Sequence, residues 1–233
     1  MLQPKQPTMN TRINTLHLKS LGFLLLSFTV AQSLSAHATV IDLEKMTKTD
    51  AALLYVELGY KHILPLGLDH ILFVLSLFLL NPKLKPVLTQ ATAFTVAHTV
   101  TLGLSMYKII NPPVAIVEPL IALSILYVAM ENIFSNKLKA TRIGVVFLFG
   151  LIHGMGFASA LGQLGLPQNS YLTSLLMFNL GVELGQITVI LAAWFLLAKW
   201  FADKPYYRKF IVVPLSVVIS AIAAYWVVQR IFF

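Results

Sequence analysis

The chain of 233 residues contains no cysteine. This absence excludes disulfide bonds, iron–sulfur clusters and any metal site that needs a thiolate ligand. Charged residues are also scarce, at 11% of the sequence. No nucleotide-binding motif is present either, which argues against direct use of ATP by this chain.

Most residues of the sequence are apolar. They account for 58% of the sequence, and the mean hydropathy is +0.80. One water-soluble core cannot bury so much apolar surface, so the composition predicts an integral membrane protein in a lipid bilayer. The net charge of +8 sits mostly in short loops between apolar runs, so it does not indicate nucleic acid as a partner. The sequence leaves open whether the protein forms a homo-oligomer.

The first residues have the pattern of a secretory signal. Lys5, Arg12 and Lys19 precede the apolar run LGFLLLSFTVA, and Ala36-His37-Ala38 follows with small residues suited to signal peptidase. We predict a signal peptide over 1–38 that is cleaved after Ala38. The alternative is an uncleaved first span.

The remaining apolar runs predict a polytopic membrane protein of the all-α class. Residues 39–58 mix acidic, basic and apolar side chains, which favours a short periplasmic amphipathic helix at the outer surface. Residues 59–233 then form the membrane domain, because runs of about twenty apolar residues are long enough to cross a bilayer. The six predicted transmembrane helices lie near 60–80, 87–107, 113–134, 143–162, 171–198 and 210–231.

Basic residues alternate between the connecting loops. The first, third and fifth loops carry two or more of them, the second carries Lys108 alone, and GQLGLPQNSY in the fourth has none. The positive-inside rule places the basic loops in the cytoplasm of a bacterial inner (plasma) membrane. Both mature termini are therefore expected in the periplasm, as a cleaved signal peptide requires.

Ionisable side chains lie inside these apolar runs, where they are costly unless they have partners. Counted at about 1.5 Å per residue from the predicted helix ends, most of them fall near the middle of the bilayer. Imidazole and carboxylate groups together are a ligand set for a borderline divalent cation. The predicted metal ligands are His62, Asp69, His70, His98, His153 and Glu183.

Further polar groups extend this central site towards both faces. Glu118 lies nearer the outside with His62, whereas Glu131 and Asn132 lie near the inner end of the third helix. We therefore expect an outer vestibule and an inner exit. Asn179 and Gln186 flank Glu183 at helical spacing, so these three form one polar stripe on the fifth helix.

Local sequence also predicts how the helices are shaped and packed. Pro65 and Gly67 should break the first span near His62 and Asp69. The ridge of Gly150, Gly154 and Ala158 permits close approach of another helix, which is a packing role. Threonines surround His98 and are expected to hold its second ring nitrogen; they are Thr95, Thr99 and Thr101.

Five segments, in this order, resemble the HupE/UreJ family: HILPLGLDHILFVLSLFLL, FTVAHTVTL, VEPLIALSILYVAMEN, FGLIHGMGFA and FNLGVELGQ. The resemblance runs from about residue 58 to residue 190. It implies a small helical membrane protein associated with nickel or cobalt uptake. It also implies that His62, Asp69 and His70 correspond to the family's first-helix motif. Here Ile63 follows His62, where the better-studied branch has proline, so the chain looks closer to another branch.

Two classes of function fit these residues. The first is a permease for a divalent transition-metal cation, nickel or cobalt with zinc as a further candidate, and not an enzyme. The second is an intramembrane zinc-dependent hydrolase in which Glu183 acts as base on a metal-bound water. A permease needs polar groups that lead to both faces, and Glu131 and Asn132 favour it for that reason. A membrane assembly partner with a structural metal is a third possibility.

Overall fold

The computed structural model describes residues 47–164 and 171–233, and within these ranges every regular element is helical. The α-helices are α1 (Lys48–Ile63), α2 (Leu68–Leu80), α3 (Leu84–Met106), α4 (Val114–Phe134), α5 (Arg142–Leu164), α6 (Tyr171–Ala193) and α7 (Val213–Phe232). A π-helical turn, Trp194–Ala198, and a short helical turn, Lys199–Phe201, extend α6, and a π-helical turn, Arg208–Val212, precedes α7. The predicted signal peptide, residues 1–38, lies outside the described residues.

Four of the described helices are long and apolar enough to cross a membrane: α3, α4, α6 with its extension, and α7 with its preceding turn. The bent pair of α1 and α2 makes a fifth if it is counted as one span, and α5 is also apolar. From the second predicted span onward, the observed helix bounds fall within a few residues of the predicted ones. The prediction of an all-helical membrane protein is confirmed.

The predicted break in the first span is confirmed at Leu64–Gly67. Helices α1 and α2 meet there at a bend of 69°. Pro65 cannot donate a backbone hydrogen bond, so it does not continue α1. A Cβ atom on Gly67 would collide with the carbonyl oxygen of His62, so the return of the chain requires glycine. The bend folds the end of α1 back over the start of α2.

Helix α1 differs from the surface helix expected over residues 39–58. It runs through residue 58 to Ile63 and packs along α6, with Tyr55 fully buried. Glycines on both helices permit this contact, since a Cβ on Gly59 would collide with the Phe178 carbonyl and a Cβ on Gly181 with that of Val56. Backbone contact between two small-residue faces packs one side of α1 against α6, while Leu53, Glu57 and Lys61 on the other side are exposed.

A second close contact joins α3 and α5, which are parallel. Gly150 lies against the backbone of Phe94, and Gly154 lies against the carbonyl of His98 one turn further along. A methyl group at either position would collide with α3. The predicted packing role of this glycine ridge is confirmed, and it brings His153 beside His98.

Replacing Gly59 with alanine should therefore destabilise the protein. We expect Gly59→Ala to lower the free energy of unfolding by about 1–3 kcal/mol, because α1 and α6 would be forced apart. Thermal unfolding of the purified protein in detergent measures the effect. Gly144→Ala is the matched control, since a Cβ there meets no atom within 4 Å. That change should leave stability equal or up to about 1 kcal/mol higher. Equal melting temperatures for Gly59→Ala and Gly144→Ala would contradict the contact between α1 and α6.

Candidate metal centre

A cavity of about 440 Å³ leads from one end of the bundle towards its centre. Exposed residues, among them Lys61 and Glu118, line its mouth, and the buried side chains of His70 and His153 line its floor. Glu118 lies in the first turns of α4, at the end predicted to face the periplasm. The cavity has the position and the charged lining of the expected outer vestibule.

Three imidazoles converge at the floor of this cavity. One nitrogen from each of His62, His70 and His98 lies within 4.8 Å of the other two. The ring centroids of His62 and His70 are 4.6 Å apart, and His98 lies 6.1 Å and 6.0 Å from them. In a tetrahedral site with metal–nitrogen bonds of 2.0–2.1 Å, ligand nitrogens are about 3.4 Å apart, so small ring rotations are enough. These three residues can hold a metal ion.

Their free nitrogens are ready to act as ligands. The Nε2 atoms of His62, His70 and His98 are buried and have no hydrogen-bond partner among the described residues. An unpaired buried polar atom costs about 1–3 kcal/mol, so three at one point need an explanation. A cation bound by these nitrogens would supply one.

Asn179 determines which nitrogen of His98 faces the site. Its amide nitrogen donates to the Leu175 carbonyl, so its Oδ1 faces His98 Nδ1 at 2.9 Å. Oδ1 is an acceptor, so His98 Nδ1 carries the proton and Nε2 keeps its lone pair. Of the threonines expected to do this, Thr99 and Thr101 donate to backbone carbonyls of their own helix, and Thr95 donates to Glu183.

His153 has the opposite arrangement. Ser124 donates its hydroxyl proton to the Ile121 carbonyl, and its oxygen lies 2.9 Å from His153 Nε2. Nε2 is therefore the protonated nitrogen, and Nδ1 is buried without a partner among the described residues. The His153 ring is 5.0 Å from that of His70, beside the three converging imidazoles.

Aromatic side chains surround the imidazoles. Phe157 lies 3.9 Å from His62 between ring centroids and stacks on Phe178, while Phe94 lies 4.9 Å from His153. Such rings exclude water and lower the local dielectric. Neutral imidazole, which is the ligand form of histidine, is favoured in these surroundings.

Asp69 lines the same cavity but is engaged by a cation. Its carboxylate accepts a hydrogen bond of 2.7 Å from Arg230, which also donates to the Glu118 carbonyl from the far end of α7. Asp69 is outside the three-imidazole set. The ion pair instead ties α2, α4 and α7 together at the cavity wall.

Glu183 is also outside the set of three imidazoles formed by His62, His70 and His98. Its two carboxylate oxygens accept hydrogen bonds from the hydroxyls of Thr92 and Thr95 on α3. These residues come one to two turns before His98, on the side away from the cavity. The structure therefore separates Glu183 from the histidines.

The pair expected at the inner exit is held by Arg142. The guanidinium lies 3.1 Å from the Glu131 carboxylate and donates to the Asn132 side chain and the Ser76 carbonyl. Arg142 is 3% exposed and Asn132 is fully buried. Glu131 and Asn132 thus belong to a packed polar cluster that joins α2, α4 and α5, and Glu131 also lines a groove of about 470 Å³ at this end of the bundle.

Sequence reasoning missed three partners in this region. Arg230 was overlooked because α7 has no family signature, although a single arginine in the last turns of an apolar helix was a usable signal. Arg142 was counted as a loop charge. Ser124 gave no signal, because buried serines are common in membrane helices.

Loss of the Asn179 amide should weaken metal binding. We expect Asn179→Leu to lower affinity for nickel, cobalt or zinc by about tenfold to a hundredfold, because His98 would lose the acceptor that orients its ring. Isothermal titration of the purified protein measures this. Thr99→Val is the control, since its hydroxyl donates to the Thr95 carbonyl. Equal affinities in the two variants would contradict the role of Asn179.

Removal of the Arg142 guanidinium should destabilise the fold. Arg142→Met leaves the Glu131 carboxylate without its cation, at an expected cost of about 3 kcal/mol in the free energy of unfolding. The double variant with Glu131→Gln should recover part of that loss, because no charge is then left unpaired. Chemical unfolding in detergent compares the two, and a double variant less stable than the single one would rule out this pairing.

Comparison with known families gives one match. The family described as HupE / UreJ protein covers residues 37–230, which is most of the chain. Neither the curated proteins nor the solved structures give a significant match. The matched range contains α1 to α6 and most of α7, with all the residues of the cavity and the histidine cluster. The chain belongs to the HupE/UreJ family.

Proposed function

We propose that this protein is a membrane permease for a divalent transition-metal cation. The observation that carries the proposal is the convergence of His62, His70 and His98 at the floor of the outer cavity. A cation that enters from the periplasm would reach His62 and His70 first, because these two line the cavity and His98 lies behind them. Three neutral ligands leave coordination positions open, which suits a cargo that must also leave.

The carboxylates of the cavity support the uptake of a cation, and Lys61 and Arg230 of the same lining offset part of their charge. Glu118 is exposed at the mouth, and Asp69 lies in the wall beside His70. Carboxylates offset part of the cost of bringing a divalent charge into the membrane. The pairing of Asp69 with Arg230 moderates this attraction, so that the cation is not held too tightly.

Nickel or cobalt is the proposed cargo. Imidazole-rich sites suit nickel, cobalt and zinc almost equally, so the ligand set alone does not choose among them. Membership of the HupE/UreJ family favours nickel or cobalt.

We further propose six spans in the bacterial inner membrane after a cleaved signal peptide. The bent pair α1–α2 is the first span and α5 is the fourth, alongside the four long apolar helices. The basic loops face the cytoplasm, so the cavity opens to the periplasm.

The alternative of an intramembrane hydrolase has less support. It assigns Glu183 as base, but that carboxylate binds Thr92 and Thr95 and is outside the histidine set. The mouth of the cavity is lined by Lys61, Glu118 and Arg230, which suits water rather than a lipid-accessible cleft. Transport therefore fits the arrangement better.

Flux measurements test the proposal. Purified protein in proteoliposomes should accumulate nickel or cobalt, and His70→Gln should reduce both metal binding and flux by roughly tenfold or more, because one of three ligands is lost. Thr99→Val should behave like the parent and controls for reconstitution. Bound metal without flux, lost in His70→Gln, would replace the permease with the hydrolase. If the unsubstituted protein binds no metal, both the permease and the hydrolase are ruled out.

A further inference from the structure

Glu183 is a carboxylate without a cation. Thr92 and Thr95 donate their hydroxyl protons to its two oxygens, which is the arrangement expected of an ionised group. No lysine, arginine or histidine of the described residues lies within ion-pair distance of it. An ionised, half-buried carboxylate at mid-membrane depth is costly, so it attracts a positive ion.

The position of Glu183 along the bundle follows from the register of α3 and α6, which are antiparallel. His98 pairs with Asn179, and Thr95 and Thr92 pair with Glu183. Continued by one turn, this register places Gln186 at the level of residues 90 and 91. The polar stripe of α6 therefore leads from the histidine site towards the cytoplasmic end of α3.

The side-chain amides at that next level, Gln186 and Gln90, lack all or some of their hydrogen-bond partners among the described residues. Gln186 is fully buried, and neither its oxygen nor its nitrogen has a hydrogen-bond partner among the described residues. The side-chain oxygen of Gln90 is likewise unpaired. Gln90 also lines a groove of about 310 Å³, together with Lys85, Lys139 and Arg142. Unpaired buried amides need an explanation, and a polar occupant that passes by or binds there would supply one.

We propose that the seam between α3 and α6 is the inward route, and that Glu183 with Thr92 and Thr95 forms a second, oxygen-ligand station for the cation. The inference rests on the proposed permease function. The cation would pass from His98 to Glu183, about 5–9 Å along α3, and then past Gln186 and Gln90 to the inner groove. This replaces the exit past Glu131 and Asn132, which Arg142 fills.

The histidine site and the Glu183 station use different ligand atoms, so they would have different roles. Imidazole nitrogens bind nickel and cobalt more strongly than hydroxyl and carboxylate oxygens do. The histidine site selects the cation and holds it, whereas the Glu183 station compensates its charge while it crosses the closed part of the bundle. A second station should therefore matter for movement more than for equilibrium binding.

The first test separates binding from flux. In Glu183→Gln we expect nickel or cobalt affinity at the histidine site to stay within about threefold of the parent, while flux into proteoliposomes falls by about tenfold or more. Thr99→Val, one helical turn from Thr95 on the same helix, is the control and should retain both. If Glu183→Gln loses binding together with flux, Glu183 is a ligand of the histidine site and the second station is wrong.

The second test locates the route and uses the absence of native cysteine. Gln186→Cys and Ser76→Cys place one thiol at each of the two inner ends, since the Ser76 carbonyl belongs to the Arg142 cluster. A small charged methanethiosulfonate applied from the cytoplasmic side should modify Gln186→Cys, faster when metal is being transported, and leave Ser76→Cys unmodified.

The outcomes distinguish this inference from the function on which it rests. Modification of Ser76→Cys in place of Gln186→Cys, or parental flux in Glu183→Gln, would overturn the α3–α6 route and leave the permease intact. A parent protein that binds metal but moves none would remove the permease, and the route with it.

Discussion

The constraint on which this structure depends is that a polar group inside an apolar bundle needs a partner. Most of the buried polar side chains satisfy it locally: Thr99 and Thr101 bind carbonyls of their own helix, and Arg142 is shared by Glu131, Asn132 and Ser76. Several buried polar atoms on other helices also lack a partner among the described residues, including the hydroxyls of Ser216 and Ser220. The three imidazole nitrogens at the cavity floor differ from these because their side chains lie close together, and they mark the candidate site.

Close packing of backbones puts these groups in reach of one another. Gly59 and Gly181 join α1 to α6, and Gly150 and Gly154 join α3 to α5. Since a methyl group at any of these positions would collide with the neighbouring backbone, the helix axes are held nearer than ordinary side chains allow. His62 on α1 and His98 on α3 each lie on a helix that is held by such a contact. The glycines therefore help to fix the positions of two of the three converging imidazoles.

The asymmetry of the surroundings gives the site a direction. On the outer side, a cavity with charged residues at its mouth reaches His62 and His70. On the inner side, Gln186 is fully buried and Glu183 is half-buried between α3 and α6. In the proposed permease, this asymmetry would correspond to one state of an alternating-access carrier. A second state would then require a separation of α3 from α6, which are joined by side-chain hydrogen bonds.

Much of this protein was determined by the sequence alone. Hydropathy determined the all-helical membrane class and most of the helix bounds, because a bilayer accepts long apolar segments only as helices. Pro65 and Gly67 determined the break, and the histidines in apolar runs predicted the imidazoles that converge at the cavity floor. The sequence did not decide which polar groups meet. Three such pairings depend on contacts between residues that are far apart in the chain. They are the pairing of Asp69 with Arg230, that of His98 with Asn179, and that of Glu131 with Arg142. Helical periodicity gives the face of each helix but not its neighbour, so only the tertiary structure could settle them.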